Sequence, residues 1–171
     1  MRTIVMLLTV LVVLGACPIM AQQPMLKDPL LDAMTGDWVL KGRIGGRETV
    51  HDIGVDWVLG HQYVCIRETS REKDSSGHPA YEAHVYVGWD QAASEYVCVW
   101  LDVWGGVSAQ SIGRAKPHGD EMPFVFRDTS NAIVFHTTFI YDRTARTWRW
   151  VMDNEDQGKL QPFARLSLSR K

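Results

Sequence analysis

Tyr81-Glu82-Ala83-His84-Val85-Tyr86-Val87-Gly88-Trp89 and Tyr96-Val97-Cys98-Val99-Trp100-Leu101-Asp102-Val103-Trp104 are two strand-length runs joined by a short connection, and their alternation decides the fold. Side chains on a strand point to opposite faces in turn. One face of the pair therefore collects Ala83, Val85, Val87, Val97, Val99, Leu101 and Val103. The other collects Glu82, His84, Tyr86, Cys98, Trp100, Asp102 and Trp104. The first face is aliphatic and the second aromatic and polar, the pattern of a hairpin with one buried side.

Working outward, strand patterns recur over 37–44, 48–59, 62–71, 80–89, 95–104, 108–115, 122–128, 132–141, 147–153 and 163–169. Connections such as Gly45-Gly46, Gly60-His61, Asp90 to Ser94 and Asp128 to Asn131 carry turn residues. Ahead of the strands, Asp28-Pro29-Leu30-Leu31-Asp32-Ala33-Met34 predicts one or two helical turns, with Asp28 as cap and Gly36 just past the end. Strands following one another through short turns predict an all-β fold, an antiparallel up-and-down meander. About ten of them predict closure into a barrel.

The turns also predict register. Two-residue turns at Gly45-Gly46 and Gly60-His61 pair Trp38 with Ile53, Leu40 with His51, Val55 with Ile66 and Trp57 with Val64. Centring the next two connections sets Val64 opposite Val87 and Val87 opposite Val97. The predicted interior then holds Trp38, Leu40, His51, Ile53, Val55, Trp57, Val64, Ile66, Glu68, Val85, Val87, Val97, Val99 and Leu101. Phe124, Phe126, Phe135, Phe139, Trp148, Trp150, Leu166 and Leu168 continue it. Rings in such number leave two outcomes open, a lumen filled by its own side chains or one enclosing a cavity. The same pairing puts Cys65, Tyr86 and Cys98 in one row on three strands. Two strand spacings, roughly 9–10 Å, exceed the Cα separation a disulfide tolerates, about 4.4–6.8 Å, so free thiols are expected.

The 171 residues are 46% hydrophobic with a formal net charge of -2, enough apolar material for one domain's core. Near-neutral charge without a long basic run excludes a nucleic-acid partner that depends on a broad basic surface. Met1-Arg2, the apolar run Ile4 to Leu14 and Ile19-Met20-Ala21 predict a signal peptide over 1–21, too short to span a bilayer. A polar lead over 22–27 and one barrel domain over 28–171 follow. Export, periplasmic or secreted, is the expectation. Leu14-Gly15-Ala16-Cys17 also resembles a bacterial lipobox, which would anchor the chain to the envelope through lipid on Cys17.

Thr35-Gly36-Asp37-Trp38, a helical turn leading into Gly-x-Trp, resembles the start of calycin-superfamily barrels such as lipocalins. That resemblance implies that the Trp plugs the closed end and that an Arg of the last strand, Arg170 or Arg165, packs across it. Trp57-Val58-Leu59-Gly60, Gly88-Trp89-Asp90 and Trp100-Leu101-Asp102, with the closing Arg165 to Arg170 segment, look more specifically like a family of small exported bacterial proteins of unknown function. The resemblance implies a barrel and a small-molecule cavity, and brings no catalytic residues. The related nitrobindin-like haem proteins place an axial His late in the chain; no His follows His136, so no haem or other cofactor is expected.

His51 and Glu68 are the titratable residues that the register sends inward, as diagonal neighbours on adjacent strands. A buried carboxylate alone costs several kcal/mol, so the two are expected to share a hydrogen bond. Functionally they are candidates for anchoring a ligand's polar end, or for a general base and its orienter. Trp57, Phe135, Phe139, Trp148 and Trp150 are the candidate apolar walls of a ligand site. The other face, with Tyr86, Trp100 and Trp104, leaves three readings open: a solvated face whose rings are covered by loops, a homodimer or partner surface, since aromatic residues concentrate at interfaces, and a ligand face if inside and outside are inverted. His61 and His78 fall in turns and His136 on the outer face. No spacing marks a zinc or calcium site, and Gly106-Val107-Ser108-Ala109-Gln110 misses the nucleophile-elbow pattern at its last position.

Overall fold

The computed structural model describes residues 24–171, and the predicted leader and lipobox lie outside them. A six-residue helix, α1 (Pro29–Met34), precedes ten strands: β1 (Gly36–Ile44), β2 (Arg47–Val58), β3 (Tyr63–Ser70), β4 (Glu82–Asp90), β5 (Glu95–Asp102), β6 (Ile112–Ala115), β7 (Glu121–Arg127), β8 (Ile133–Asp142), β9 (Thr147–Asp156) and β10 (Lys159–Arg170). Each pairs antiparallel with the next, and β10 returns to β1 to close the barrel. The all-β up-and-down barrel with a short N-terminal helix is thus the observed fold. Of the segment predicted as a strand over 108–115, only β6 is extended; Ala109–Ser111 forms a 3₁₀ turn capped by the Ser108 hydroxyl.

One end of the barrel is shut by α1 and Trp38. The Asp28 carboxylate caps the helix, accepting from the Leu30 and Leu31 amides at 2.9 and 3.0 Å, and its second oxygen accepts from the Tyr96 hydroxyl at 2.6 Å. Leu31 and Met34 are fully buried beneath. Trp38 donates its indole N–H to the Met34 carbonyl, and the Arg170 guanidinium lies 3.8 Å over its ring, donating to the Thr35 and Ala33 carbonyls. Gly36 is required there: its φ is +112°, and a β-carbon would collide with the Arg170 guanidinium. Replacing Asp28 with Ala removes both cap bonds and strands the Tyr96 hydroxyl. A loss of about 1–2 kcal/mol is expected in urea unfolding, and an unchanged midpoint would refute this role for the cap.

Register in β1 to β4 follows the turns as predicted: Trp38 faces Ile53, Leu40 faces His51, Val55 faces Ile66 and Val64 faces Val87. The β4–β5 pairing differs. Asp90 pairs with Glu95, leaving four residues in the turn with Ser94 at φ +50°, so Val87 faces Cys98 rather than Val97. A slip of one residue reverses every side chain on a strand. Tyr96, Cys98, Trp100 and Asp102 therefore point inward with Ala83, Val85 and Val87, while Val97, Val99 and Leu101 point out.

The two thiols are free, as expected, but for a different reason. Cys65 pairs with Tyr86 on the outer side of the wall, whereas Cys98 lies inside it. Burial pushes the Cys98 thiol up to about 12, so almost no reactive thiolate forms near neutrality. Native protein at pH 8 should leave Cys98 unmodified by iodoacetamide under conditions that alkylate it fully in guanidinium. Comparable labelling in both states, read by peptide mass spectrometry, would contradict its burial.

Candidate functional site

The inward side chains do not fill the lumen evenly. Towards the closed end, Trp38, Phe124, Phe139, Trp148 and Trp150 are buried among aliphatic residues of the other strands. Trp150 stacks on Phe139 with ring centroids 4.5 Å apart and leans on Trp100 at 5.5 Å. One inward step further along β9, Met152 borders a cavity of about 670 Å³ at the opposite end of the barrel. Phe126, Phe135 and Phe163 form an apolar wall, and the β5–β6 connection lies over the mouth through Trp104, Gly105, Gly106 and Ser108.

The polar wall comes from β2, β3 and the approach to β4. Thr49 and His51 stand two apart on β2, hence on one face, and Glu68 reaches His51 diagonally from β3. His51 Nδ1 is bonded to Glu68 Oε1, and Thr49 Oγ1 lies 2.6 Å from His51 Nε2. Donor and acceptor roles follow the imidazole tautomer: a proton on Nδ1 is donated to Glu68, and Nε2 then accepts from the Thr49 hydroxyl. His51 and Glu68 are only 3% and 2% exposed, and Glu68 Oε2 has no hydrogen-bond partner among the described residues. Thr137 Oγ1 and the indole nitrogens of Trp148 and Trp150 are also without partners, but those residues do not border the cavity.

Tyr81 ties the site together. Its ring stacks on His51 at 5.9 Å and meets Trp104 at 5.0 Å, and its hydroxyl accepts from Trp100 Nε1 at 3.1 Å. Burial, and next the charge of Glu68, push its phenol well above the usual range, so it stays protonated and can donate. Asp102, also at the cavity, accepts from the Trp104 amide at 3.0 Å.

The residues singled out by sequence are thus dispersed. His51, Glu68 and Phe135 border the cavity. Phe139, Trp148 and Trp150 face inward but lie below it. Trp57 is at the closed end, where its indole donates to Asp32 at 2.9 Å and stacks on His61 at 4.0 Å. Tyr86, Trp100 and Trp104 do not share an outer face: the β5 register turns Trp100 inward, Trp104 projects from the mouth, and Tyr86 alone stays on the outer wall. Thr49, Tyr81 and Asp102 were not assigned to the site. The Thr-x-His spacing on one strand pointed to the first, while the other two needed the β5 register and the path of the β3–β4 connection. Among the described residues, no group of three or more His, Cys, Asp or Glu side chains could hold a metal ion.

A closed antiparallel barrel, shut at one end by a helix and a Trp–Arg contact and hollow at the other, fits the calycin or lipocalin-like architecture. No family model matches the chain, and neither does any curated protein. No helix among the described residues is long and apolar enough to cross a membrane.

Proposed function

We propose that the protein is an exported component of the cell envelope that binds a small hydrophobic or amphipathic molecule in its barrel. The cavity of about 670 Å³ carries this reading, since it falls in the range of small-molecule sites and joins an apolar wall to a few convergent polar groups. Export rests on the leader-like pattern of 1–21. Mature protein purified from its native host without denaturation should show a bound mass by native mass spectrometry, lost when the barrel unfolds. No bound mass, together with no response of the tryptophan fluorescence to decanol, would overturn the binding role.

A catalytic reading is favoured by Thr49. Carboxylate, imidazole and hydroxyl stand in the order of orienter, base and nucleophile. Both ring nitrogens of His51 are engaged, so the pair would act on a substrate through the Thr49 hydroxyl. An alkyl phosphonate ester that traps activated hydroxyls should then modify Thr49; an unmodified residue, read by peptide mass spectrometry, removes this reading.

A further inference from the structure

We infer that the ligand carries an N–H cation, a protonated amine on an apolar body, which donates to Glu68 at the cavity wall beside the rings of Tyr81, Trp100 and Trp104. The inference rests on the proposed binding role and adds the chemical class of the ligand. Its first support is the unpartnered oxygen. Oε1 of Glu68 is taken by His51, while Oε2 lies buried on a residue that borders the cavity. A carboxylate oxygen in that position can be satisfied only by a donor, and a charge-assisted bond is the strongest compensation for its burial.

Charge gives the second support. Among the described residues, Glu72 and Asp102 border the cavity with no Lys or Arg ion pair and Glu68 meets only the His51 imidazole, whereas Glu48 is paired with Arg43 at 2.6 Å. Arg47 is the one Lys or Arg side chain among the described residues that line the cavity. An anion entering the site would meet a negative field at short range, and a neutral alcohol would leave that field uncompensated. Ring chemistry agrees, because indole and phenol faces attract ammonium groups, more strongly when water is excluded. Glu68 and Asp102 border the cavity together with Tyr81, whose phenol is raised first by burial and then by the charges of these carboxylates.

The test compares three probes with one chain length, decylamine, decanoate and decanol, titrated at pH 7 into the folded protein and read by tryptophan fluorescence and calorimetry. Decylammonium should bind at least tenfold more tightly than either of the others. Glu68→Gln retains a carbonyl for the His51 N–H yet removes the charge, and should weaken decylammonium at least tenfold while leaving decanol within twofold. Asp102→Asn, which keeps the acceptor for the Trp104 amide, should weaken decylammonium by a smaller factor; its effect can be measured even if Glu68→Gln fails to fold. Decanoate or decanol binding as tightly as decylammonium would overturn the amine class and leave the binding role standing. No binding of any of the three would count against both.

Discussion

Replacing Trp150 with alanine should lower the free energy of unfolding by about 3–5 kcal/mol, the range for truncating a large aromatic side chain in a packed core. Trp150 is fully buried, stacks on Phe139 and supports Trp100 beneath the cavity, so the void would open between two strands' worth of rings. Collapse into that void is hindered because β8 and β9 are held in register on both sides by closed-barrel pairing. Trp150→Phe should cost clearly less, since it keeps a ring on Phe139 and removes an indole N–H that has no hydrogen-bond partner. Urea unfolding of the two variants beside the wild type reads the difference. A loss below about 1 kcal/mol for the alanine variant would mean that this ring does not bear on the core.

The second large effect is expected at His51. His51→Ala leaves Glu68 with neither oxygen partnered inside the barrel, and breaking a buried pair by removing one member costs about 3–5 kcal/mol. The double variant His51→Ala with Glu68→Ala removes the stranded carboxylate as well, so it should be more stable than His51→Ala alone. That reversal distinguishes an electrostatic cost from a cavity, because further truncation would only enlarge a cavity. Thermal melts of wild type, both single variants and the double variant complete the cycle. Additive losses would show that His51 and Glu68 act independently, contrary to their bond.

The meander was legible because each strand is a short alternating run bounded by turn residues, and the Gly45-Gly46 turn sets a local register that carries through β1 and β2. His51 and Glu68 could be paired on the same grounds, as inward residues two positions out of line on adjacent strands. An Arg across Trp38 was implied by the resemblance to calycin barrels, with Arg170 and Arg165 as candidates; β10 running antiparallel to β1 pairs Arg170 with Trp38 and decides between them. Trp57 shows where alternation falls short. It keeps the inward phase of β2, yet lies so near the closed end that it meets α1 rather than the lumen.

The class of fold, the order of about ten strands and the inward pair could be read along the chain, because all of them depend on local periodicity and on contacts between neighbouring strands. Which face of β5 looks inward and which part of the lumen is hollow emerge only from the closed barrel. The first turned on one residue in the 91–94 connection, because both faces of β5 carry residues able to be buried: Val97, Val99 and Leu101 on one, Cys98 and Trp100 on the other. The second depends on how ring volumes from opposite strands add up inside a closed cylinder. No single strand carries that sum, and it places Trp148 and Trp150 in the packed half while leaving Glu68 at the edge of the open one.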